Sequence, residues 1–449
     1  MGKLKSLLIL LAPFLVAIFT VTSLYAANAA RLDVRQMLTP LVFALFVAGL
    51  FYLLFWLFKW TAKASSMVAI GFTVVFLIWN VIPWQISILI LIAILILGIK
   101  RGSYFKPFSL FVSLVMVMAI IVSGVQAGVS IQAKTGNSVN IEPTHVIEGQ
   151  RNIYYIVPDR MPSPVAMRES GLNPDKAIEQ LRSMGFYVKE DQLSADPYTV
   201  DYKDTIYTTR TMRFFASSLN SVTDIPMSIS YQDCRTMIRD NSVFDTLHNK
   251  GYMIVNVASW FNETSHFPGA DLNLSYDDIG LLERIFQDEL SVAFFERTMI
   301  YGFNFRVLES DSLQRRVETG RLNWQAENIL RVSEHEKAST FVIAHMLMPH
   351  EPYVYADSSQ SIPEQYYANI EYSLQFIPEL ATSIRKNDPS AIIIIQSDEG
   401  MAYRKPIELN YDLSPTQWSG VFTAWYLPEY KGDKDIIKHN AILEVVLKE

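Results

Sequence analysis

The sequence predicts two materials in one chain: a bundle of about five transmembrane helices, then a large α/β domain built on a mostly parallel sheet. Three observations carry this. The first third consists of long apolar stretches almost free of charge. After about Ser130, charges, Pro and Gly return. In the second half, three apolar and β-branched runs, Asn152–Asp159, Thr340–His350 and Ala391–Gly400, alternate with segments of helical spacing. Buried strands of a parallel sheet read as such continuous runs, and helices must cover both sheet faces.

The apolar stretches cover Leu7–Ala26, Met37–Phe58, Met67–Ile82, Pro83–Leu97 and Pro107–Val125, each near the roughly 20 residues that cross a bilayer. The third and fourth are short, because Met67–Ile99 is one run interrupted only by Asn80, Pro83 and Gln85; a re-entrant hairpin is the alternative there. With the N-terminus inside, the cytoplasmic segments hold Lys3, Lys5, Lys59, Lys63, Lys100, Arg101 and Lys106, against Arg31, Arg35 and Lys134 outside, as the positive-inside rule expects. An odd number of spans then exports the remainder of the chain. The triplet Ala27-Asn28-Ala29 offers a signal-peptide reading of the first stretch, whose length favours an uncleaved anchor. The expected organisation is a transmembrane domain over 1–128, a polar linker over 129–150 and a soluble domain over 151–449.

Roughly 300 residues suffice for one α/β domain with a well-buried core. Cys234 is the only cysteine, so no internal disulfide can form. The net charge of −7, without clustered basic residues, argues against a nucleic-acid partner. Further strands are expected over Gly185–Val188, Tyr252–Ala258 and Val421–Leu427, and helices over Pro174–Met184, Ser242–Lys250, Arg321–Glu336 and Pro363–Arg385.

The three apolar runs end on acids and imidazoles: Asp159, then His345 and His350, then Asp398 with Glu399. Ligands of open α/β sheets collect at the carboxyl ends of the strands, so these side chains are expected on one sheet edge, as in a hydrolase or transferase. Asp at a strand end also suits a helix N-cap; shared coordination of one divalent cation is the reading adopted. An imidazole can protonate a leaving oxygen or hydrogen-bond a transferred oxyanion. His345, inside an apolar run, reads equally as a core residue, whereas His350 lies in a Pro-rich loop and is the better site candidate.

Taken together, NIYYIVPD, TTRTMRFFASSLN, FVIAHMLMPHEPYVY, IIIIQSDEG and FTAWYLPEY resemble, in order and spacing, the sulfatase-like branch of the alkaline phosphatase superfamily. The likeness is to membrane-anchored members such as lipoteichoic acid synthases and phosphoethanolamine transferases, and it covers the soluble domain and the five spans before it. It implies an alkaline-phosphatase-like α/β/α sandwich, a metal-binding Asp159, and a nucleophile at a helix start, which falls on Thr211. A threonine hydroxyl becomes a good nucleophile when a metal ion binds it, and helix-terminal N–H groups add an anion site. Thr208, Thr209 and Thr211 also read as capping residues; within the set of five motifs Thr211 is taken as the nucleophile.

The chain departs from the family pattern twice. Glu399 stands where the family has the His of Ser-Asp-His-Gly, and Arg160 where it often has Gly. The expected ligand set is then Asp159, Thr211, Asp398 and Glu399, all oxygen donors, which favours Mn²⁺, Mg²⁺ or Ca²⁺ over Zn²⁺. Arg160 is expected to pair with substrate phosphate through its planar fork, with His350 beside it. The function implied is a metal-dependent hydrolase or transferase anchored in a bacterial plasma membrane, its catalytic domain extracytoplasmic, acting on phosphate or sulfate esters of a lipid-linked envelope substrate. The alternative is a non-catalytic envelope protein with a degenerate metal site, supported by the changes at 160 and 399. A transporter is disfavoured, since the spans carry no acid or base in their middles.

Overall fold

The computed structural model describes residues 2–27, 29, 34–57, 62–81, 83–101, 106–135, 150–194, 210–222, 225–226, 229–261, 263–276, 289–295, 297–299, 311–335, 339–403, 407–428, 430, 432 and 437–448. The chain divides into two compact units, Met1–Asn137 with Asp278–Ser310, and Ser138–Asp277 with Asp311–Glu449. Thr208, Thr209 and most of the 129–150 linker lie outside the described residues.

The first unit is helical: α1 Gly2–Ala26, α2 Leu38–Leu57, α3 Ala62–Leu77, α4 Trp84–Arg101 and α5 Lys106–Thr135. Leu4–Ala26, Leu38–Leu57 and Pro107–Gly128 are long and apolar enough to cross a membrane, while the apolar parts of α3 and α4, Val68–Leu77 and Gln85–Ile94, are shorter. The five apolar stretches therefore become five helices, two of them short, as the Asn80–Gln85 interruption requires. Helix α1 packs against α2, α3 and α5. The Ser66 and Ser113 hydroxyls donate to the α1 carbonyls of Ile9 and Leu8, the latter at 2.7 Å, the kind of small polar contact that joins helices in lipid. Phe46, Leu53, Phe111 and Met118 are exposed, as a face turned to hydrocarbon allows. A further short helix, α11 (Glu289–Phe295), also belongs to this unit, so the partition departs from the one expected from sequence at 278–310.

The second unit is an α/β unit. Its strands are β1 Ile153–Pro158, β2 Tyr187–Lys189, β3 Met253–Val257, β4 Leu272–Leu274, β5 Thr340–Met346, β6 Ile392–Gln396 and β7 Thr423–Tyr426, in the order β2-β7-β6-β1-β5-β3-β4. The strands from β6 through β4 run parallel, and β7 is antiparallel to both of its neighbours. The helices are α6 Pro164–Glu169, α7 Asp175–Ser183, α8 Arg210–Ser218, α9 Tyr231–Arg239, α10 Ser242–Asn249, α12 Asp311–His335, α13 Ile362–Asn387, α14 Pro415–Ser419 and α15 Ile442–Lys448. Every strand and helix expected in this half is present; the unexpected ones are the three-residue β4 and short helices, too brief to show a period.

Two cores sandwich the sheet, set by the two-residue period of its strands. Tyr154, Ile156, Val342, Ala344, Ile393 and Ile395 pack with α7, α12 and α13 on one face. Ile153, Tyr155, Val157, Phe341, Ile343 and Ile394 pack on the other with Phe214 and Phe215 of α8, Phe244 of α10 and Leu443 of α15. This second face holds the site.

Candidate metal centre and nucleophile

Strand β1 lies between β5 and β6, so the segments leaving these three strands emerge side by side. Val157 is paired with His345, and the Asp159 N–H donates to the Met346 carbonyl at 2.9 Å. Counting in twos from Val157, Ile343 and Ile394 carries Asp159, His345 and Asp398 toward the α8 face. Helix α8 brings Thr211 there in its first turn.

Asp159, His345 and Asp398 are all buried, and one donor atom from each lies within 4.8 Å of the others. His345 Nε2 is 3.7 Å from Asp159 Oδ2. The Thr211 hydroxyl donates to Asp398 Oδ2 at 2.6 Å, and the Arg160 N–H donates to the other oxygen of Asp398 at 3.1 Å. Asp159 Oδ1 and His345 Nε2 are buried without a hydrogen-bond partner among the described residues. Orphaned polar atoms are costly, and a cation in reach of a carboxylate and an imidazole would relieve both. Burial, then repulsion from Asp398, pushes the Asp159 carboxyl well above its ordinary range; burial, then Glu399, raises Asp398 to about 7. Burial lowers the imidazole of His345 to about 3, with His350 adding to the shift, so a neutral ring is available as a ligand.

Polar contacts brace this cluster from behind. Thr264 Oγ1 is 2.9 Å from His345 Nδ1, and Ser259 Oγ lies 2.8 Å from Thr264. The Gln325 amide of α12 donates to the His345 carbonyl at 3.0 Å and to Ala258 at 3.2 Å.

Beside the cluster lies a network of opposite charges. Glu399 accepts from Arg160 Nε at 2.6 Å and faces Arg210 Nε at 2.8 Å, one carboxylate oxygen to each. Arg160 also donates to Glu351 at 2.9 Å. Arg210 donates to the Trp418 carbonyl at 2.7 Å and lies over its ring at 3.9 Å. Burial opposes ionisation of Glu399, yet Arg210 and Arg160 hold its carboxyl down to about 2. Arg160 adopts φ 63°, the left-handed region where a residue other than Gly costs roughly 1–2 kcal/mol; its ionic partners Glu399, Glu351 and Asp159 keep it there. Gly400 is required for a different reason, since a Cβ would lie 2.4 Å from the Trp418 carbonyl oxygen.

The sequence-expected residues thus fall into two groups. Asp159, Thr211 and Asp398 come together. Glu399, expected as their fourth oxygen ligand, has both oxygens taken by guanidinium groups, and His345 completes the cluster instead. An imidazole joins the carboxylates, a donor set that Zn²⁺ accepts as readily as harder ions, so the preference for Mn²⁺, Mg²⁺ or Ca²⁺ loses its premise. His350 sits with the arginine network: its Nδ1 is 2.5 Å from the Glu351 carbonyl, and burial, then Arg160, lowers its ring to about 4. Arg210, Thr264, Gln325 and Glu351 were not foreseen. Only Arg210, adjoining Thr211, and Glu351, adjoining His350, had a signal in sequence.

No family model matches the chain, and no curated protein does. Solved structures do. The chain is similar to the lipoteichoic acid synthase LtaP from Listeria monocytogenes, at 13% identity over 67% of this chain and 72% of that one, with a TM-score of 0.39. It is similar to the C-terminal periplasmic domain of EptC from Escherichia coli in complex with Zn, at 12% identity over 68% and 83%, with a TM-score of 0.40. The integral membrane lipooligosaccharide phosphoethanolamine transferase A from Neisseria meningitidis matches 92% of this chain and 80% of its own at 13% identity, with a TM-score of 0.37.

Proposed function

We propose that the chain is a membrane-anchored, metal-dependent enzyme that hydrolyses or transfers phosphate or sulfate ester groups through Thr211, with a lipid-linked envelope molecule as substrate. One observation carries the reading: the Thr211 hydroxyl meets Asp398 at 2.6 Å beside a buried Asp159–His345–Asp398 cluster in which Asp159 Oδ1 and His345 Nε2 have no hydrogen-bond partner among the described residues. A divalent ion held by Asp159, His345 and Asp398 would supply Lewis acidity, lowering the pKa of the threonine hydroxyl and offsetting ester charge. The five sequence motifs and the basic-residue asymmetry support the same reading, the latter favouring an α/β unit on the extracytoplasmic side.

The chain's own residues have defined parts. Asp398 aims Thr211 Oγ1, and the Arg160 N–H in turn aims Asp398. Thr264 can accept from His345 Nδ1–H, which leaves Nε2 directed at the cluster. Arg160, held by Glu399 and Glu351, keeps a fixed positive charge 4.0 Å from Asp159, suited to an ester oxygen. A carbonyl only accepts, so the Glu351 contact puts the proton of neutral His350 on Nδ1 and leaves Nε2 as an acceptor. It is then equipped to take the proton of the water or hydroxyl that releases the threonine ester.

The test is chemical. After incubation with a candidate lipid donor, mass spectrometry of the Thr205–Arg213 region should show Thr211 carrying the transferred group. Thr211→Ala should remove the adduct and bring turnover to background, whereas Thr211→Ser keeps part. A fully active Thr211→Ala variant overturns the assignment. A second reading, binding without catalysis, is favoured by the Arg160 charge already lying beside Asp159. It predicts no stoichiometric metal and no adduct with either phosphate or sulfate donors.

A further inference from the structure

The chain leaves the α/β unit after Asp277, and Asp278–Ser310 groups with the membrane helices before the chain returns at Asp311. Within this stretch α11 reads ELSVAFF, placing Leu290, Phe294 and Phe295 on one helix face. All three are buried, and so are Ser291 and Thr298. Their neighbours belong to the spans: they cluster with Ala17, Val21 and Leu24 of α1 and with Ala44 and Ala48 of α2. Phe43 of α2 meets Phe295 edge-on at 4.8 Å and Phe294 at 6.3 Å, an arrangement aromatic rings favour. Beyond the helix, the Arg297 and Thr298 N–H groups donate back to the Phe294 and Phe295 carbonyls at 3.1 and 2.9 Å, and the Thr298 hydroxyl donates to Phe295 at 2.8 Å.

These contacts lie at one end of the bundle. Helix α1 finishes there and α2 starts there, and the cluster includes Phe76 and Leu77 from the end of α3 and Ala127 from the last part of α5. Helix α5 is also the span from which the chain departs for the α/β unit. Among the described residues, the three bulky side chains of α11 have no part in either core of that unit. Free in water, they would expose an apolar face; seated on the spans, they are removed from it.

We propose that α11 (Glu289–Phe295) is a second membrane anchor, docked on the end of the bundle where α1 meets α2. The α/β unit is then held by three chain connections and not by the 129–150 linker alone. Each added attachment turns detachment into the simultaneous loss of several contacts.

The experiment uses the full chain in membranes, with a specific protease site inserted in the 136–149 segment. After cleavage, the C-terminal fragment should stay in the membrane pellet through salt and alkaline carbonate washes. Phe294→Asp with Phe295→Asp should release it, with at least a tenfold drop in the retained fraction. A Phe43→Cys, Phe295→Cys pair bridged by a short thiol crosslinker should rejoin the two cleaved fragments, and a Leu53→Cys, Phe295→Cys pair should not. The crosslink reads docking directly even where the aspartate variant fails to accumulate. Release of the unsubstituted fragment, equal retention of the aspartate variant, or crosslinking of equal yield in the two cysteine pairs would overturn the anchor.

Discussion

In the cluster of Asp159, His345 and Asp398, two buried carboxylates and an imidazole face one another, Asp159 Oδ1 and His345 Nε2 having no hydrogen-bond partner among the described residues, and the Arg160 guanidinium stops 4.0 Å from Asp159. In the adjoining network the carboxylate of Glu399 is divided between Arg160 and Arg210 at much closer range. Asp398 and Glu399 are consecutive residues with similar burial, yet one carboxyl is raised to about 7 and the other held down to about 2. Burial raises both; what separates them is which neighbours the tertiary fold supplies. The cluster has the donor set to hold a cation, whereas in the network the carboxylate is already matched by two guanidinium groups.

The sharpest way to break this comparison is Asp398→Ala, which should abolish binding of one divalent ion by the purified protein and reduce turnover to background. A stoichiometric ion surviving this change would remove Asp398 from the ligand set. Glu399→Gln should do the reverse: the ion remains, while leaving two arginines short of a buried partner lowers stability by about 3–5 kcal/mol. Metal analysis and denaturant unfolding on the same sample separate the two effects, and loss of the ion in Glu399→Gln would restore Glu399 as a ligand.

A pH series sharpens the contrast further. The raised Asp398 carboxyl contributes stability that is full below its unfolded pKa, about 4, and is lost as pH rises through about 7. The depressed Glu399 contributes stability that is present above about 4 and is lost only as pH falls toward 2. Metal-free protein should therefore melt several degrees lower at pH 8 than at pH 5, and added metal should recover the loss at pH 8. Thermal melts with and without chelator check this; a flat profile in chelator would show that the carboxylate pair is not strained. The smallest effect is expected for Thr264→Val, which keeps the shape behind His345 and removes its hydroxyl partner. Metal affinity should fall about 10- to 100-fold, read by isothermal titration, with stability of the loaded protein little changed.

Much of the site was legible because a parallel strand announces itself twice, by an apolar β-branched run and by the polar residue that ends it. Asp159, His345, His350 and Asp398 stand out in the sequence that way as candidates, and Thr211 through its place among the motifs, although the ligand set expected from sequence had Glu399 in the position His345 occupies. The role of Glu399 was not legible. Its partners come from the loop after β1 and from the start of α8, 239 and 189 positions earlier, and no local pattern records such a pairing. The excursion of 278–310 was hidden for a related reason, since ELSVAFF is too short and too ordinary to announce which core it will join.

By itself the sequence determined the apolar helices, the sheet-forming runs and the acids and imidazoles at their ends, because hydropathy and side-chain period are local quantities. The tertiary structure alone decided which of two adjacent carboxylates meets a threonine and which meets two arginines, that His345 joins the cluster, and that α11 packs with the spans. Those choices rest on charges and surfaces contributed by distant segments, whose energies exist only once the chain has brought them together.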